Sequence, residues 1–247
     1  MVFEPRHMEL DVRDELAVRN ALAFARPDVI VHTAYRQHGP EVWATNVDGS
    51  SAVARAAVAG GSRLIHISSD LVFSGRTTPY DEGADLSPLQ AYGRSKAAAE
   101  RAVGLIDPKA AIIRTSLLYD IEHVNPSSRM ILDAASGLAD MTFFEDEIRC
   151  FTPVKDLASA IMDLCYHDYA GPLNVAGPEP LTRYDFACRY ARQHGKDPAK
   201  LVKGYLTEAQ QDERPGNLVL DSNRAAGLLT TRIRPVSEVL RGGRAAK

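Results

Sequence analysis

The chain has 247 residues, of which 45% are hydrophobic and 25% are charged, and its formal net charge is −3. This composition is typical of a globular protein with one large α/β domain, or with a core domain and a smaller lobe. A charge so close to balance argues against non-specific nucleic-acid binding, which needs a basic surface. No apolar run approaches the roughly 20 residues that cross a bilayer.

Three widely spaced cysteines, Cys150, Cys165 and Cys188, are odd in number and fit no metal-ligand spacing. We expect no signal peptide ahead of them. The sequence therefore favours reduced thiols in a cytoplasmic protein without a metal site.

Strand and helix patterns alternate over the first half of the chain. Apolar runs typical of buried strands are followed by segments in which apolar residues recur at helical spacing. In chain order we predict strands at 7–12, 29–34, 63–68 and 110–116, separated by helices at 14–25, 43–59 and 89–103. This alternation predicts a doubly wound α/β fold, with a parallel sheet covered by helices on both faces.

The regular alternation of strands and helices ends after residue 125, where the predicted elements become shorter. We expect helices at 127–138, 154–167, 182–195 and 235–240, two short strands within 141–154, and a strand at 172–177. Short elements added after such a sheet usually shape a substrate pocket.

The stretch from Arg63 to Lys96 combines a buried strand, a polar loop and the start of a helix. Ser87 followed by proline predicts the helix N-terminus, with Ser87 as the N-cap. Tyr92 and Lys96 are then four residues apart and share one helix face. Together with Ser69, at the end of the preceding strand, they form a candidate proton-transfer site.

Ligands of parallel α/β sheets bind at the carboxyl ends of the strands. In the predicted sheet those ends carry Asp11, Ala34, Ser69 and Thr115. The candidate site therefore lies on the sheet edge where a ligand is expected.

Motifs spread over nearly the whole chain match one superfamily in order. They include HISSDLVFSG (66–75), YGRSKAAAE (92–100), TPVKDLASAI (152–161), PLNVAGPEPLTRYDFA (172–187) and RPGNLVLDSNRA (214–225). Together they resemble the extended short-chain dehydrogenase/reductase superfamily and, more narrowly, its dTDP-4-dehydrorhamnose reductase branch, the RmlD-like nucleotide-sugar reductases. The resemblance implies a Rossmann-like fold and either NADP or NAD as cofactor.

The resemblance also assigns chemical roles. Tyr92 is the expected proton donor to a ketone oxygen, although a free phenol titrates near pKa ~10 and needs a nearby positive charge. Lys96 supplies that charge and, in the family, binds the nicotinamide ribose. Ser69 is expected to hydrogen-bond the carbonyl oxygen and hold it near the hydride.

Further positions match the family more loosely. The residues expected to contact the cofactor, besides the tyrosine and lysine, are Asp11, Val12, Ala34, Asn46 and Thr115. The weaker candidates for substrate contact are Asp70, Arg114 and Arg214.

The residues after Ser69 separate branches of the superfamily. Nucleotide-sugar dehydratases resemble one another in placing an Asp-Glu pair here, whereas this chain has Asp70 and Leu71. The missing second carboxyl favours a reductase over a dehydratase, and no single residue excludes an epimerase.

The family begins with a strand and a glycine-rich GxxGxxG turn, whose backbone N–H groups bind the cofactor pyrophosphate. Nothing in this sequence matches that turn, and Met1 to Arg6 lead directly into the 7–12 segment. We therefore expect weakened cofactor binding, no native neighbour for the 7–12 strand, and an exposed apolar edge on the 29–34 strand. Three outcomes stay open: a shortened gene product, a 7–12 segment re-paired beside the 29–34 strand, or a homodimer or partner chain that covers this edge.

By this resemblance we assign residues 1–125 and 155–170 to an incomplete NAD(P)-binding core, and 126–154 and 171–247 to a small substrate-binding lobe without a sharp boundary. The leading hypothesis is an NAD(P)H-dependent reductase of a nucleotide-bound 4-keto sugar. The alternatives are a non-catalytic regulatory protein on the same fold, as in the regulatory subunit of methionine adenosyltransferase, and a truncated inactive paralogue.

Overall fold

The computed structural model describes residues 2, 4–5 and 9–240. The strands in chain order are β1 (Val29–His32), β2 (Arg63–Ile67), β3 (Ala111–Arg114), β4 (Leu118–Tyr119), β5 (Thr142–Phe144), β6 (Ile148–Cys150), β7 (Thr152–Pro153), β8 (Gly171–Asn174), β9 (Pro180–Thr182), β10 (Val202–Gly204) and β11 (Asn217–Leu218). The helices are α1 (Glu15–Ala25), α2 (Gly49–Gly60), α3 (Ala91–Ile106), α4 (Pro126–Ala135), α5 (Val154–Cys165), α6 (Arg183–Gln193), α7 (Glu208–Glu213), α8 (Asn223–Leu228) and α9 (Val236–Val239). Over these ranges no helix combines the length and the apolar character needed to cross a membrane.

The central sheet contains four parallel strands in the order β1-β2-β3-β8. Leu64 and Ile112 face one layer, where they pack with residues of α1, α2 and α3. Ile65 and Ile113 face the opposite layer, where they pack with residues of α5 and α8. Helices therefore cover both faces, and the predicted doubly wound α/β fold is confirmed.

The predicted strand at 7–12 is wrong where it can be judged. Residues 7 and 8 lie outside the described residues, and residues 9–12 form turn and coil. Leu10 and Val12 instead pack into the layer of α1 and α2. Val12 fits so closely that a Cβ on Gly49 would lie 2.8 Å from its Cγ2 atom. The apolar residues of this segment are buried by helices and not by strand pairing.

Strand β1 lies at the edge of the sheet, as the sequence predicts. Among the described residues it pairs only with β2, in a register that places His32 beside His66. Val31 is 39% exposed.

Outside the central sheet, strands of the second half of the chain form the small sheets β11-β6-β9 and β10-β5, and these sheets with the helices packed on them are called the lobe. Its core is aromatic, and the rings of Phe151 and Phe186 stack with centroids 3.8 Å apart. Assigning residues 171–247 to this lobe is wrong for β8, because that strand pairs with β3 in the central sheet. A shared cluster containing Phe73, Tyr80 and Leu218 joins the lobe to the core.

Helix α3 begins later than predicted. Its N-cap is Gln90, and the hydroxyl of Ser87 instead accepts a hydrogen bond from the backbone N–H of Ser74, at 3.2 Å. The 87–90 segment therefore remains a connection between the loop and the helix.

Candidate active site

Ser69 ends the β2 segment and caps the 3₁₀ turn Asp70–Val72. Its Oγ accepts a hydrogen bond from the N–H of Leu71 at 3.2 Å and lies 3.1 Å from the Oδ1 of Asp70, to which it donates. The N–H of Asp70 donates to the carbonyl of Thr115 at 2.8 Å. These bonds fix Ser69 against the end of the neighbouring strand.

Helix α3 approaches this turn very closely because residue 93 is glycine. A Cβ at Gly93 would lie 2.1 Å from the carbonyl oxygen of Leu71. This contact brings Tyr92 close enough to Ser69 for the serine side chain to lower the pKa of the phenol. Sequence reasoning missed Gly93, whose only signal is a glycine inside a helical pattern.

The Tyr92 phenol is largely buried, and burial raises its pKa above the usual value. The nearby Tyr35 and Asp70 raise this pKa further, and the Ser69 side chain opposes the rise. At neutral pH Tyr92 is therefore protonated, which is the form that donates a proton.

Lys96 lies one turn along the same helix and is only 3% exposed. Its Nζ donates to the carbonyl oxygen of Ile67 at 2.5 Å. Burial lowers the pKa of this ammonium to about 8, and the carboxylate of Glu100 opposes the shift. At neutral pH the ammonium is therefore mostly charged, and it begins to lose its proton as the pH rises towards 8.

Asn46 lies in a π-helical turn, Ala44–Asp48, that leads into α2. Its side-chain amide accepts from the N–H of Arg36 at 2.8 Å and donates to the carbonyl of the same residue at 2.9 Å. It also donates to the hydroxyl of Ser95 at 2.8 Å, and that hydroxyl donates to the carbonyl of Tyr92. Asn46 therefore ties the loop after β1 to the helix of the candidate acid.

The predicted cofactor residues at the start of the chain lie among charged groups. Asp11 forms a salt bridge with Arg13, at 2.6 Å, and Arg13 also pairs with Glu41. Val12 is occupied in packing against Gly49.

Two further predicted cofactor residues lie at strand ends. Ala34 is half-buried in the loop after β1. Thr115 is buried after β3, and its Oγ1 has no hydrogen-bond partner within the described ranges. A buried hydroxyl without a partner is uncommon and is available to a ligand or water.

Asp70, a weaker candidate for substrate contact, is held inside the protein. Its Oδ2 accepts from the hydroxyl of Ser116 at 2.6 Å. Burial raises the pKa of this carboxyl, and the Arg149 guanidinium is the first of several groups that oppose the shift.

Arg114 is also buried, and its guanidinium donates three hydrogen bonds to the carboxylate of Glu100, the shortest at 2.8 Å. Glu100 accepts in addition from the hydroxyl of Ser68. This network gives Arg114 a structural role within the core in place of the predicted substrate contact.

Three arginines converge on one buried carboxylate in the lobe. Glu147 lies within ion-pair distance of Arg149, Arg183 and Arg214, at 3.8, 3.5 and 3.0 Å. Arg214, predicted as a weak substrate contact, is the most exposed of the three. The Asp70 carboxyl also acts on Arg149 and Arg183, so acidic groups offset part of the positive charge of the three arginines.

A small cavity of about 20 Å³ lies in the lobe where the chain leaves β3. Its walls are mainly apolar and include Leu117, Phe143, Phe151 and Phe186. Arg183 also lines it. The cavity thus joins an aromatic interior to the edge of the arginine cluster.

The parallel sheet, covered on both faces and carrying serine, tyrosine and lysine at its carboxyl edge, defines the chain as a Rossmann-like α/β protein with an added lobe. The family model described as the RmlD substrate binding domain matches residues 1–242. The chain belongs to this family.

Several known proteins are similar to the chain. The dTDP-4-keto-6-deoxy-D-glucose reductase of Streptomyces niveus is 35% identical over 241 residues, covering 92% of this chain and 82% of the relative. The methionine adenosyltransferase 2 subunit beta of Bos taurus is 30% identical over 237 residues, covering 89% of this chain and 70% of the relative. The dTDP-4-dehydrorhamnose reductase of Bacillus anthracis, solved in complex with NADP, superposes with a TM-score of 0.84 at 25% identity, covering 96% of this chain and 87% of that structure.

Proposed function

We propose that this chain is an NAD(P)H-dependent reductase that acts on a nucleotide-bound 4-keto sugar. The observation that carries the proposal is the placement of Ser69, Tyr92 and Lys96 at one sheet edge. Gly93 holds the helix of Tyr92 against the turn of Ser69, and a buried ammonium lies one helical turn away. The reductase from Streptomyces niveus and the NADP-bound reductase structure support the same conclusion.

The residues at this edge fit a dinucleotide. The Lys96 ammonium has three donors and, in the described part of the chain, one hydrogen-bond partner. The Thr115 hydroxyl is buried and without a partner there. Both groups suit the hydroxyls of a ribose, and a reduced nicotinamide supplies the hydride when it is bound.

Each side chain then has a defined task. The Ser69 hydroxyl donates to the ketone oxygen and orients it. Tyr92, kept protonated by its raised pKa, gives its proton to the same oxygen as negative charge develops there. The Lys96 ammonium stabilises the resulting phenolate.

The lobe supplies features suited to the rest of such a substrate. A nucleotide-bound sugar carries a flat base and an anionic diphosphate. Arg183, which lines the aromatic cavity, and the more exposed Arg214 are suited to the diphosphate. Guanidinium groups bind phosphate oxygens in bidentate fashion.

NAD(P)H oxidation with dTDP-linked 4-keto sugars tests the proposal. The variant Tyr92→Phe should lower the turnover rate by about 10²–10⁴-fold, the usual contribution of a positioned acid. Tyr35→Phe is the matched control. Tyr35 contacts the Tyr92 ring edge-on, with centroids 6.0 Å apart, and has no role in the proposed proton transfer. Equal rates in wild type and Tyr92→Phe would contradict the acid role.

A second candidate is a non-catalytic regulatory protein, favoured by the likeness to methionine adenosyltransferase 2 subunit beta. This candidate predicts no substrate-dependent NAD(P)H oxidation by wild type. It also predicts comigration with a methionine adenosyltransferase catalytic subunit in gel filtration. An NADPH fluorescence titration bears on both candidates, since micromolar affinity would contradict the expectation of weakened cofactor binding.

A further inference from the structure

Two histidines lie side by side beneath the candidate active site. His32 on β1 and His66 on β2 are register partners, and their ring centroids are 5.4 Å apart. His66 is fully buried, and His32 is 5% exposed. Neither residue takes part in the mechanism proposed above.

His66 is unusual because neither ring nitrogen has a hydrogen-bond partner in the described part of the protein. A buried polar group left without a partner destabilises the folded protein. Burial lowers the pKa of this imidazole well below its usual value, followed in size by the effects of Lys96 and His32. His66 is therefore neutral, with one nitrogen that accepts and one that donates.

The charged groups near this imidazole come from two elements. Helix α3 contributes Lys96 and Glu100, and β3 contributes Arg114. Because Glu100 and Arg114 are paired with each other, Lys96 is the cation with donors to spare. Its one described bond ends on Ile67, the residue after His66. The charge of Lys96 acts on both His66 and His32, lowering the pKa of each.

On the other side of the histidine pair, Ser50 connects His32 to Asn46 by hydrogen bonds. The hydroxyl of Ser50 donates to the carbonyl of Asn46 at 2.6 Å, so its single proton is used. The Nε2 of His32, 3.1 Å from the same hydroxyl, must therefore be the donor. This leaves the Nδ1 of His32 as an acceptor, available to the N–H of His66.

We propose that His66 and His32 are positioning residues for Lys96, in a one-way hydrogen-bond chain that runs from the ammonium through both imidazoles and Ser50 to the Asn46 carbonyl, with internal water where side chains do not touch. The chain gives the buried ammonium a neutral acceptor and thereby stabilises its charged form. The inference deepens the proposed function, since it concerns the lysine of that site.

NMR of the full chain labelled with ¹⁵N-histidine, without cofactor, tests the proposal from pH 6 to 10. The His66 signals are identified by their loss in His66→Gln. We expect His66 to stay neutral throughout while its accepting nitrogen shifts with a midpoint near pH 8, the pKa of Lys96. The variant Lys96→Met should abolish this shift, and the exposed His123 is the reference. A His66 signal that does not shift between pH 6 and 10, or that shifts equally in Lys96→Met, overturns the proposal.

Competitive acetylation read by mass spectrometry gives a second measurement. The variant His66→Phe should lower the midpoint of Lys96 reactivity by about one pH unit, the scale of one lost hydrogen bond to a charged group. His66→Gln, whose amide oxygen still accepts, should restore at least half of that shift, with the exposed Lys109 as internal reference. Unchanged midpoints in a folded His66→Phe protein overturn the proposal, and if that variant does not fold, the NMR result decides. Neither measurement needs turnover, so a failure of the reductase proposal appears separately, in the oxidation assay.

Discussion

Lys96 and Glu100 are one turn apart on α3, both are buried, and their surroundings are opposite. Glu100 has a bidentate arginine and a serine hydroxyl as partners. Lys96 has one carbonyl among the described residues and no carboxylate within ion-pair distance there. A buried charge with all its partners inside the protein fixes the structure, whereas one with donors left over is suited to a ligand. This contrast separates Arg114, which the sequence placed in the substrate site, from the lysine of the candidate active site.

Of the substitutions that test this contrast, we expect Glu100→Ala to have the largest effect. The substitution leaves the Arg114 guanidinium buried without its partner, and we expect a loss of about 3–5 kcal/mol in the free energy of unfolding. Urea denaturation measures the loss. Glu15→Ala is the control, since Glu15 pairs with Arg55 on the surface and its loss should change the stability little. Similar losses in both variants would remove the structural role assigned to the Glu100 pair.

Gly93→Ala tests how the catalytic side of the helix is positioned. Because its Cβ would overlap the Leu71 carbonyl, we expect a loss of about 1–3 kcal/mol in unfolding free energy. The helix must also move away from Ser69, so reductase activity should fall more than stability explains. Activity measured well below the melting temperature separates the two effects, and full activity in a folded Gly93→Ala protein would contradict this positioning role.

Lys96→Met sharpens the contrast from the other side, because it removes a buried charge that lacks an ion-pair partner in the described ranges. We expect the unfolding free energy at pH 7 to rise by about 1–2 kcal/mol while reductase activity is lost. The pKa of Lys96 is lowered from 10.5 to about 8 in the folded protein, so the cost of its charge is fully present below pH 8 and disappears towards pH 10.5. The advantage of the variant should therefore shrink over that interval, and a constant difference would contradict the lowered pKa.

The same pKa predicts the basic limit of the reaction. The proposed mechanism needs the charged form of Lys96, and that form is lost as the pH rises through about 8. Initial rates of NAD(P)H oxidation should therefore fall roughly tenfold per pH unit above this point. A rate that stays level to pH 10 would show that the charge of Lys96 is not required.

Gly104→Ala, on the same helix, should give the smallest effect and the opposite sign. The nearest atom to a Cβ at this position lies 4.0 Å away, so alanine fits. Its higher helix propensity should stabilise the protein by about 0.5–1 kcal/mol. Destabilisation measured by thermal melting would indicate that α3 is crowded along its whole length, and that the constraint at Gly93 is not local.

Local pattern was enough to predict most of the core. The alternation of apolar strands and amphipathic helices gave the parallel sheet and its helical layers, and the spacing of Tyr92 and Lys96 gave their shared face. The 7–12 strand was wrong because apolar residues at 10 and 12 satisfy a strand pattern as well as burial under helices. Strand β8 was misplaced because pairing with β3 joins segments about 60 residues apart, which no local pattern reveals.

The site was harder to predict, because burial and pairing depend on distant residues. Arg114 is the last residue of β3, at the active edge of the sheet, yet its guanidinium pairs with Glu100 of α3. His66 looked like an ordinary strand residue, and only the sheet register places His32 beside it. Glu147 lies within ion-pair distance of Arg149, two residues along, and also of Arg183 and Arg214, which come much later in the sequence. No local pattern shows that these two later arginines approach Glu147.

The Asn46 amide has a mechanical consequence. By bonding both backbone groups of Arg36 and, through Ser95, the first turn of α3, it makes the loop after β1 and the helix of Tyr92 move as one body. A ligand that docks against this loop therefore meets an acid already locked in its working orientation. The ordering entropy of that part of the site is lost when the protein folds and not when the ligand arrives, so the site is preorganised before any ligand binds.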